Sequence, residues 1–236
     1  MAIAQYLAMT AAEMAGASPL PPMAAWMACH FSPYSTGLTN LPQRMPKDSL
    51  LILNDRTPIH GHDPERICAE LKMTMARFGC FGLLVDFQNS GSEEALTLTK
   101  YLAKNLDCPI ALTPEYRTEG TAVFLPPVPT DTSLTEYLAP WAGQAVWLDT
   151  TLEGQTITLT PKGAAYGENL HPDELSCQED RTLHCHYSIR LEKNAAVFHT
   201  WRTKEDLAAL LKEADGWGVH VSVGLYQEFG TWVPGI

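Results

Sequence analysis

Along this chain, short apolar blocks are followed by polar or glycine-bearing breaks, and several of the breaks lead into stretches of helical period. Met23–Phe31, Leu50–Asn54 (LLILN) and Phe81–Gln88 (FGLLVDFQ) predict the first three strands. Asp63-Pro64 supplies a cap followed by proline at the first helical position. The helix behind it buries Ile67, Cys68, Leu71, Met75 and Phe78, and Gly79 stops it. Ser92, with Glu93 and Glu94, opens a second helix whose stripe is Ala95, Leu98, Leu102 and Leu106. Short strands are expected over Pro109–Glu115 and Thr121–Leu125, a helix over Ser133–Trp141, and another strand over Ala145–Asp149.

After Thr150 the period changes. Thr156, Thr158 and Thr160 alternate with Ile157 and Leu159, which predicts a hairpin strand, and 163–181 reads as a polar excursion loop. A second hairpin runs Leu183–Leu191 and Ala195–Trp201, turning at Lys193-Asn194. Thr203 and Asp206 form a capping-box pattern for a helix burying Leu207, Leu210, Leu211 and Ala214; Gly218 ends it, and Val219–Phe229 is the expected final strand. At the other end, Ile3, Tyr6, Leu7 and Met14 suit a short amphipathic helix that Pro19–Pro22 terminates.

Repeated strand-then-helix units predict an α/β fold: a trimmed (β/α)8 TIM-like barrel with hairpin insertions at 150–200. The 236 residues fit one such domain, with 1–22 as a helix and proline-rich lead-in. An open doubly wound sheet is the rival, weakened because no glycine-rich phosphate loop follows any strand. No cofactor motif is found.

A net charge of -11 repels phosphate backbones and anionic lipid, which argues against nucleic-acid or membrane-surface partners. The six cysteines show no CxxC and sit largely in apolar segments, so reduced thiols and a cytoplasmic location are expected. The N-terminus carries Glu13 and no basic region, unlike a signal peptide. Oligomeric state is left open.

In a β/α barrel the site lies at the C-terminal ends of the strands. Strand alternation puts Leu84, Asp86 and Gln88 on one face and Val85 and Phe87 on the other, so Asp86, Gln88 and the adjoining Asn89 are candidates for the barrel mouth. A structural aspartate bonded to neighbouring strands is the competing account. Ala111, Thr113 and Glu115 share a face, with Tyr116 beside it. Asp149 ends its strand on the face of Trp147, and Ser222, Gly224, Tyr226 and Glu228 share a face of the last strand. His60-x-His62 and His184-x-His186 have a spacing that could chelate a metal, but neither pair has a third ligand at a defined offset, so no metal site is assigned. No serine elbow is present, and Cys185 points away from its flanking histidines.

The segment Gly82-Leu-Leu-Val-Asp86-Phe-Gln88 resembles the fourth-strand signature of glycoside hydrolase family 18, the chitinases and endo-N-acetylglucosaminidases, which reads approximately DGxDxDxE. Gly82 and Asp86 match; Phe81 and Leu84 replace the two earlier aspartates, and Gln88 replaces the catalytic glutamate. The family's glycine-rich motif is not seen around Leu50–Asn54, and Tyr226 is the nearest counterpart of its floor tryptophan. The resemblance implies a glutamate that protonates the leaving oxygen and an aspartate, here Asp86, that orients the substrate's attacking acetamido group. Gln88 has no titratable proton, and loss of a positioned acid costs ~10²–10⁴ in rate.

The expected function is therefore recognition of a carbohydrate, with cleavage impaired or served by a substitute acid. Asp86, Glu115 and Glu228 are the candidate catalytic groups, Glu115 being the preferred substitute. Gln88, Asn89, Tyr116, Asp149 and Tyr226 are the candidate sugar contacts. A metal-dependent hydrolase using the histidine pairs and a non-catalytic scaffold are the alternatives.

Overall fold

The structure is a computed structural model that describes residues 3–89, 91–152, 154–168 and 177–230. The chain opens with a strand, β1 (Ala4–Met9), where a helix was expected, and a short helix α1 (Ala11–Gly16) follows. β1 pairs in parallel with β2 (Ala24–Phe31) on one edge and with the last strand of the chain on the other. Ladder bonds on both edges outweigh the helical preference of its alanines and methionine. The helical signal belongs only to the next turn, where Thr10 and Glu13 make a reciprocal capping box.

β3 (Leu38–Thr39) lies antiparallel to β2, and β4 (Leu50–Asn54) parallel to it. Helix α2 (Pro64–Phe78) starts at the Asp63 cap and stops at Gly79, whose φ of 62° is the left-handed conformation glycine tolerates. Then come β5 (Gly82–Asp86), α3 (Glu93–Asn105) capped by Ser92, β6 (Ile110–Leu112), β7 (Ala122–Leu125), α4 (Leu134–Leu138) and β8 (Val146–Thr150). Five antiparallel strands follow: β9 (Gln155–Thr160), β10 (Gly163–Glu168), β11 (Gln178–Asp180), β12 (Cys185–Glu192) and β13 (Ala195–Trp201). The chain returns through α5 (Lys204–Ala214), capped as predicted by Thr203 and Asp206, to β14 (Val219–Leu225) and the single turn α6 (Tyr226–Phe229).

The principal sheet runs β1-β14-β8-β7-β6-β5-β4-β2, with β3 appended, and the β1–β2 pairing closes it. Every pairing within the ring is parallel. This is the predicted eight-stranded barrel and excludes the open-sheet rival. Counting β1 also makes β5 the fourth barrel strand rather than the third. Helices are missing after β2 and after β6, where only a 3-10 turn at Pro114–Tyr116 intervenes.

Alternation sorts the side chains into layers. Tyr6, Ile52, Leu84, Phe124, Trp147 and Val223 fill the barrel interior. Leu51, Leu83 and Val85 face outward against Ile67, Leu71 and Leu98 of the helices, and Val123 and Leu148 do the same against Leu138, Leu207 and Leu211. At the N-terminal end the rings of Tyr6, Phe81 and Trp147 stack at centroid separations of 5.9 and 6.2 Å and plug the barrel.

The inserted sheet, ordered β10-β9-β13-β12-β11, contains the predicted hairpin turn at Lys193-Asn194. Part of the expected excursion loop is strand: β10 and β11 form its two edges, and 169–176 lies outside the described residues. Edge strands need backbone pairing but little apolar sequence, so Gly163–Gly167 gave no pattern to read. Buried Arg202 ties sheet to barrel by donating to four carbonyls: Val128, Pro129 at 3.1 Å, Leu183 at 3.2 Å and His184 at 3.0 Å. The described cysteines are all free thiols, and no described helix is long and apolar enough to cross a membrane.

Gly82 shares the inward register of Leu84. A Cβ there would stand 2.7 Å from the Pro109 carbonyl oxygen and 3.3 Å from the Trp147 ring. Gly82→Ala is expected to destabilise the fold by about 1–3 kcal/mol, as overpacking does. Urea unfolding monitored by tryptophan fluorescence measures it as a lowered midpoint at unchanged slope.

Candidate functional site

The strand ends bring polar side chains to one rim. Leu83, Val85 and Phe87 belong to the helix-side cluster and Leu84 to the interior, so Asp86, the last residue of β5, turns inward at the mouth. Burial pushes its carboxyl upward, a bond from Gln88 draws it down, and the neighbouring Asp55 raises it again. Gln88 is exposed and donates its amide Nε2 to Asp86 Oδ1 at 2.5 Å. The acid and amide predicted to act together therefore touch.

Asp149 occupies the corresponding place on β8, two residues beyond the inward Trp147. Its Oδ1 accepts from the Thr150 N–H at 2.8 Å. Burial pushes its carboxyl up to about 7; the Thr150 bond opposes this, while Asp86 and Glu228 push the same way. Glu228, on α6, accepts from Thr151 Oγ1 and the Leu152 N–H, each at 2.8 Å. Asp149 thus lies within electrostatic reach of both Asp86 and Glu228, which come from two other segments.

Other candidates are placed differently. The strand β6 ends at Leu112, so the alternation that put Glu115 beside Ala111 is broken by the 3-10 turn, which leaves Glu115 exposed on its surface. Tyr116 is buried, stands edge-on to Phe87 at 5.6 Å, and donates its hydroxyl to the Asn89 carbonyl at 3.0 Å. Asn89 is exposed, but its side-chain amide donates to the Asp55 carbonyl at 3.0 Å. The final strand stops at Leu225, so Tyr226 and Glu228 do not continue the face of Ser222 and Gly224. Val221, Val223 and Leu225 point inward instead; Gly224 faces the Phe229 ring, which leaves no space for a Cβ. Tyr226 packs against both helix-side clusters, and Leu225 holds the inward position nearest the mouth.

The histidine pairs do not converge. His60 approaches Glu94, His62 bonds Ile59 and Ser32 carbonyls, His184 pairs with Glu213 at 2.8 Å, and His186 pairs with Asp206 at 2.7 Å. Among the described residues no group of three or more His, Cys, Asp or Glu side chains could hold a metal. A cavity of about 870 Å³ opens at the opposite, N-terminal end of the barrel beside Phe81, Arg117, Trp147 and His220, away from the carboxylates. In barrels of this kind chemistry belongs to the C-terminal rim, so the rim is the candidate site.

Sequence reasoning missed Asp55, the buried residue just beyond β4. Its signal was the polar pair Asn54-Asp55 closing the apolar run LLIL. His30, near the end of β2, accepts from the Asn40 side-chain amide at 3.0 Å through Nε2, and its Nδ1 lies 3.1 Å from the Thr57 hydroxyl on the same rim.

Closure and strand order define a (β/α)8 barrel. No family model and no curated protein matches the sequence. Solved structures do match in fold. A class V chitinase from Nicotiana tobaccum, solved as a Glu-to-Gln mutant in complex with NAG4, superposes with a TM-score of 0.60 at 10% identity, covering 93% of this chain and 92% of that one. A chitinase-like agglutinin from Robinia pseudoacacia gives 0.58 at 11% identity, covering 93% of each chain. The spore cortex-lytic enzyme SleL of Bacillus cereus gives 0.57 at 8% identity, covering 99% of this chain and 71% of that one.

Asp149 links the site to stability. Its folded-state pKa of about 7 lies above the ordinary carboxylate value, so the fold holds this proton more tightly than the unfolded chain. Its contribution is therefore fully present below the unfolded value and is lost as pH rises through about 7. Asp149→Asn is expected to raise Tm relative to wild type at pH 8, by roughly 2–4 °C per kcal/mol recovered, with the gain vanishing near pH 4. Thermal melts across that range measure it; a gain independent of pH would show that Asp149 keeps its charge in the fold.

Proposed function

We propose that this chain is a carbohydrate-binding barrel of the family 18 type that holds N-acetylglucosamine-containing oligosaccharides at the Asp86 rim and has lost the usual proton donor. The observation that carries this reading is the contact between Asp86 and Gln88 at the end of the fourth barrel strand. An inward carboxylate suits the role of receiving an acetamido N–H from the sugar. The amide beside it donates and accepts hydrogen bonds but has no proton to give a leaving oxygen. Similarity in fold to an agglutinin as well as to chitinases supports binding without cleavage.

Residual cleavage would need another acid. Asp149 suits that task better than the exposed Glu115, because its carboxyl keeps a proton near neutral pH. Glu228 is held by two donors at 2.8 Å from the Thr151–Leu152 segment, so we assign it to orientation of the rim. Thiols such as Cys29, pushed up to about 12 by burial, form no disulfide and support placement in a reducing, cytoplasmic setting.

The experiment compares wild type, Gln88→Glu and Asp86→Ala with chitotetraose. Wild type is expected to bind it, by calorimetry, without measurable hydrolysis. Gln88→Glu should hydrolyse it at a rate roughly 10²-fold or more above the limit that bounds wild type, while Asp86→Ala should abolish binding in wild type and hydrolysis in the Gln88→Glu background. Absence of binding by wild type, together with no gain in Gln88→Glu, would remove the sugar reading.

A further inference from the structure

The turn that carries Gln88 is held from below by a residue on the neighbouring strand's end. Asp55 is 4% exposed, and its two carboxylate oxygens accept the N–H groups of Gln88 at 3.0 Å and Asn89 at 2.8 Å. The Asn89 side chain returns a bond to the Asp55 carbonyl at 3.0 Å. From the other side, Tyr116 bonds the Asn89 carbonyl at 3.0 Å and Thr113 reaches the Phe87 carbonyl at 3.4 Å. Two consecutive backbone donors on one carboxylate fix the peptide planes on both sides of the Gln88 Cα. That in turn fixes the direction in which its side chain leaves the backbone. Gln88 must fold back two residues to reach Asp86, a path open only to a narrow set of backbone orientations.

We infer that Asp55 is a positioning residue whose carboxylate aims position 88 at Asp86, and that any acid installed at position 88 depends on it. This inference rests on the carbohydrate reading only for its activity arm. A merely structural aspartate would steady the turn without determining where the side chain at position 88 points. The charge also matters: a buried carboxylate is costly unless its oxygens are bonded, so the site is built around the two N–H groups rather than filled by chance.

The geometric arm needs no sugar. In wild type the Gln88 side-chain amide, bonded to a carboxylate, should give a shifted, exchange-protected pair of proton resonances. Asp55→Ala should move them to the positions of a solvated glutamine. Asp55→Asn keeps one acceptor and should fall between, with far-UV circular dichroism unchanged in both. In the activity arm, Asp55→Asn combined with Gln88→Glu should cleave chitotetraose at least ~10²-fold more slowly than Gln88→Glu alone, the lower end of what a misplaced acid loses. Gln88 resonances unaltered in folded Asp55→Ala would overturn the assignment. So would an Asp55→Asn chain that no longer folds, since Asp55 would then serve folding rather than aim. If chitotetraose is neither bound nor cleaved by any variant while the resonances respond as stated, the sugar reading falls and the positioning role stands.

Discussion

Pairing of Ala4–Met9 with strands at both ends of the sheet is the interaction on which the remaining architecture depends. Without it, β14 and β2 would present open edges, and the sheet would have no interior distinct from its faces. Closure gives each strand one wall facing the axis and one facing the helices, so a residue's parity along its strand decides its environment. Parity is what separates Val85, packed under helices, from Asp86, directed to the rim. It also explains why a six-residue strand rich in helix-favouring alanine, leucine and methionine can override that local preference: it satisfies two ladders at once.

The rim that closure creates is electrostatically unusual. Asp86 and Glu228 arrive from separate segments and both press on the partly desolvated Asp149, while Asp55 presses on Asp86. Asp86, Asp149 and Glu228 are each supported by neutral donors, namely the Gln88 amide, the Thr150 N–H, and the Thr151 hydroxyl with the Leu152 N–H. A glutamate in place of Gln88 would add a further carboxyl beside Asp86 and Asp55. An amide relieves that crowding while keeping a hydrogen bond to Asp86. Burial, with a smaller push from Asp86 and Glu228, raises the Asp149 carboxyl to about 7.

The inserted sheet is joined to this frame by polar contacts more than by a shared core. Arg202 gathers carbonyls from the β7–α4 connection and from the start of β12, and His186 and His184 bond carboxylates on α5. The His184-x-His186 spacing that suggested metal chelation thus serves attachment, because Glu213 and Asp206 on the helix take up one imidazole each. A His-x-His pattern cannot distinguish these outcomes; only the partner's position can.

Local chemistry was enough to locate the helices capped by Asp63, Ser92 and Thr203, the stops at Gly79 and Gly218, the apolar strands β4, β5 and β8, and the turn at Lys193-Asn194. Each of these depends on contacts within a few residues, which a linear pattern records directly. The same pattern placed Asp86 and Gln88 together, since alternation along one strand is also a local property. What required the tertiary structure was everything settled between strands: β1 as the closing element, Glu115 turned aside by a 3-10 turn, Tyr226 drawn toward the helices, and Asp55 gripping the turn of a neighbour. Hydrogen-bond partners 30 or more residues away along the chain leave no periodicity, because their pairing is decided by the shared geometry of the barrel rather than by the residues between them.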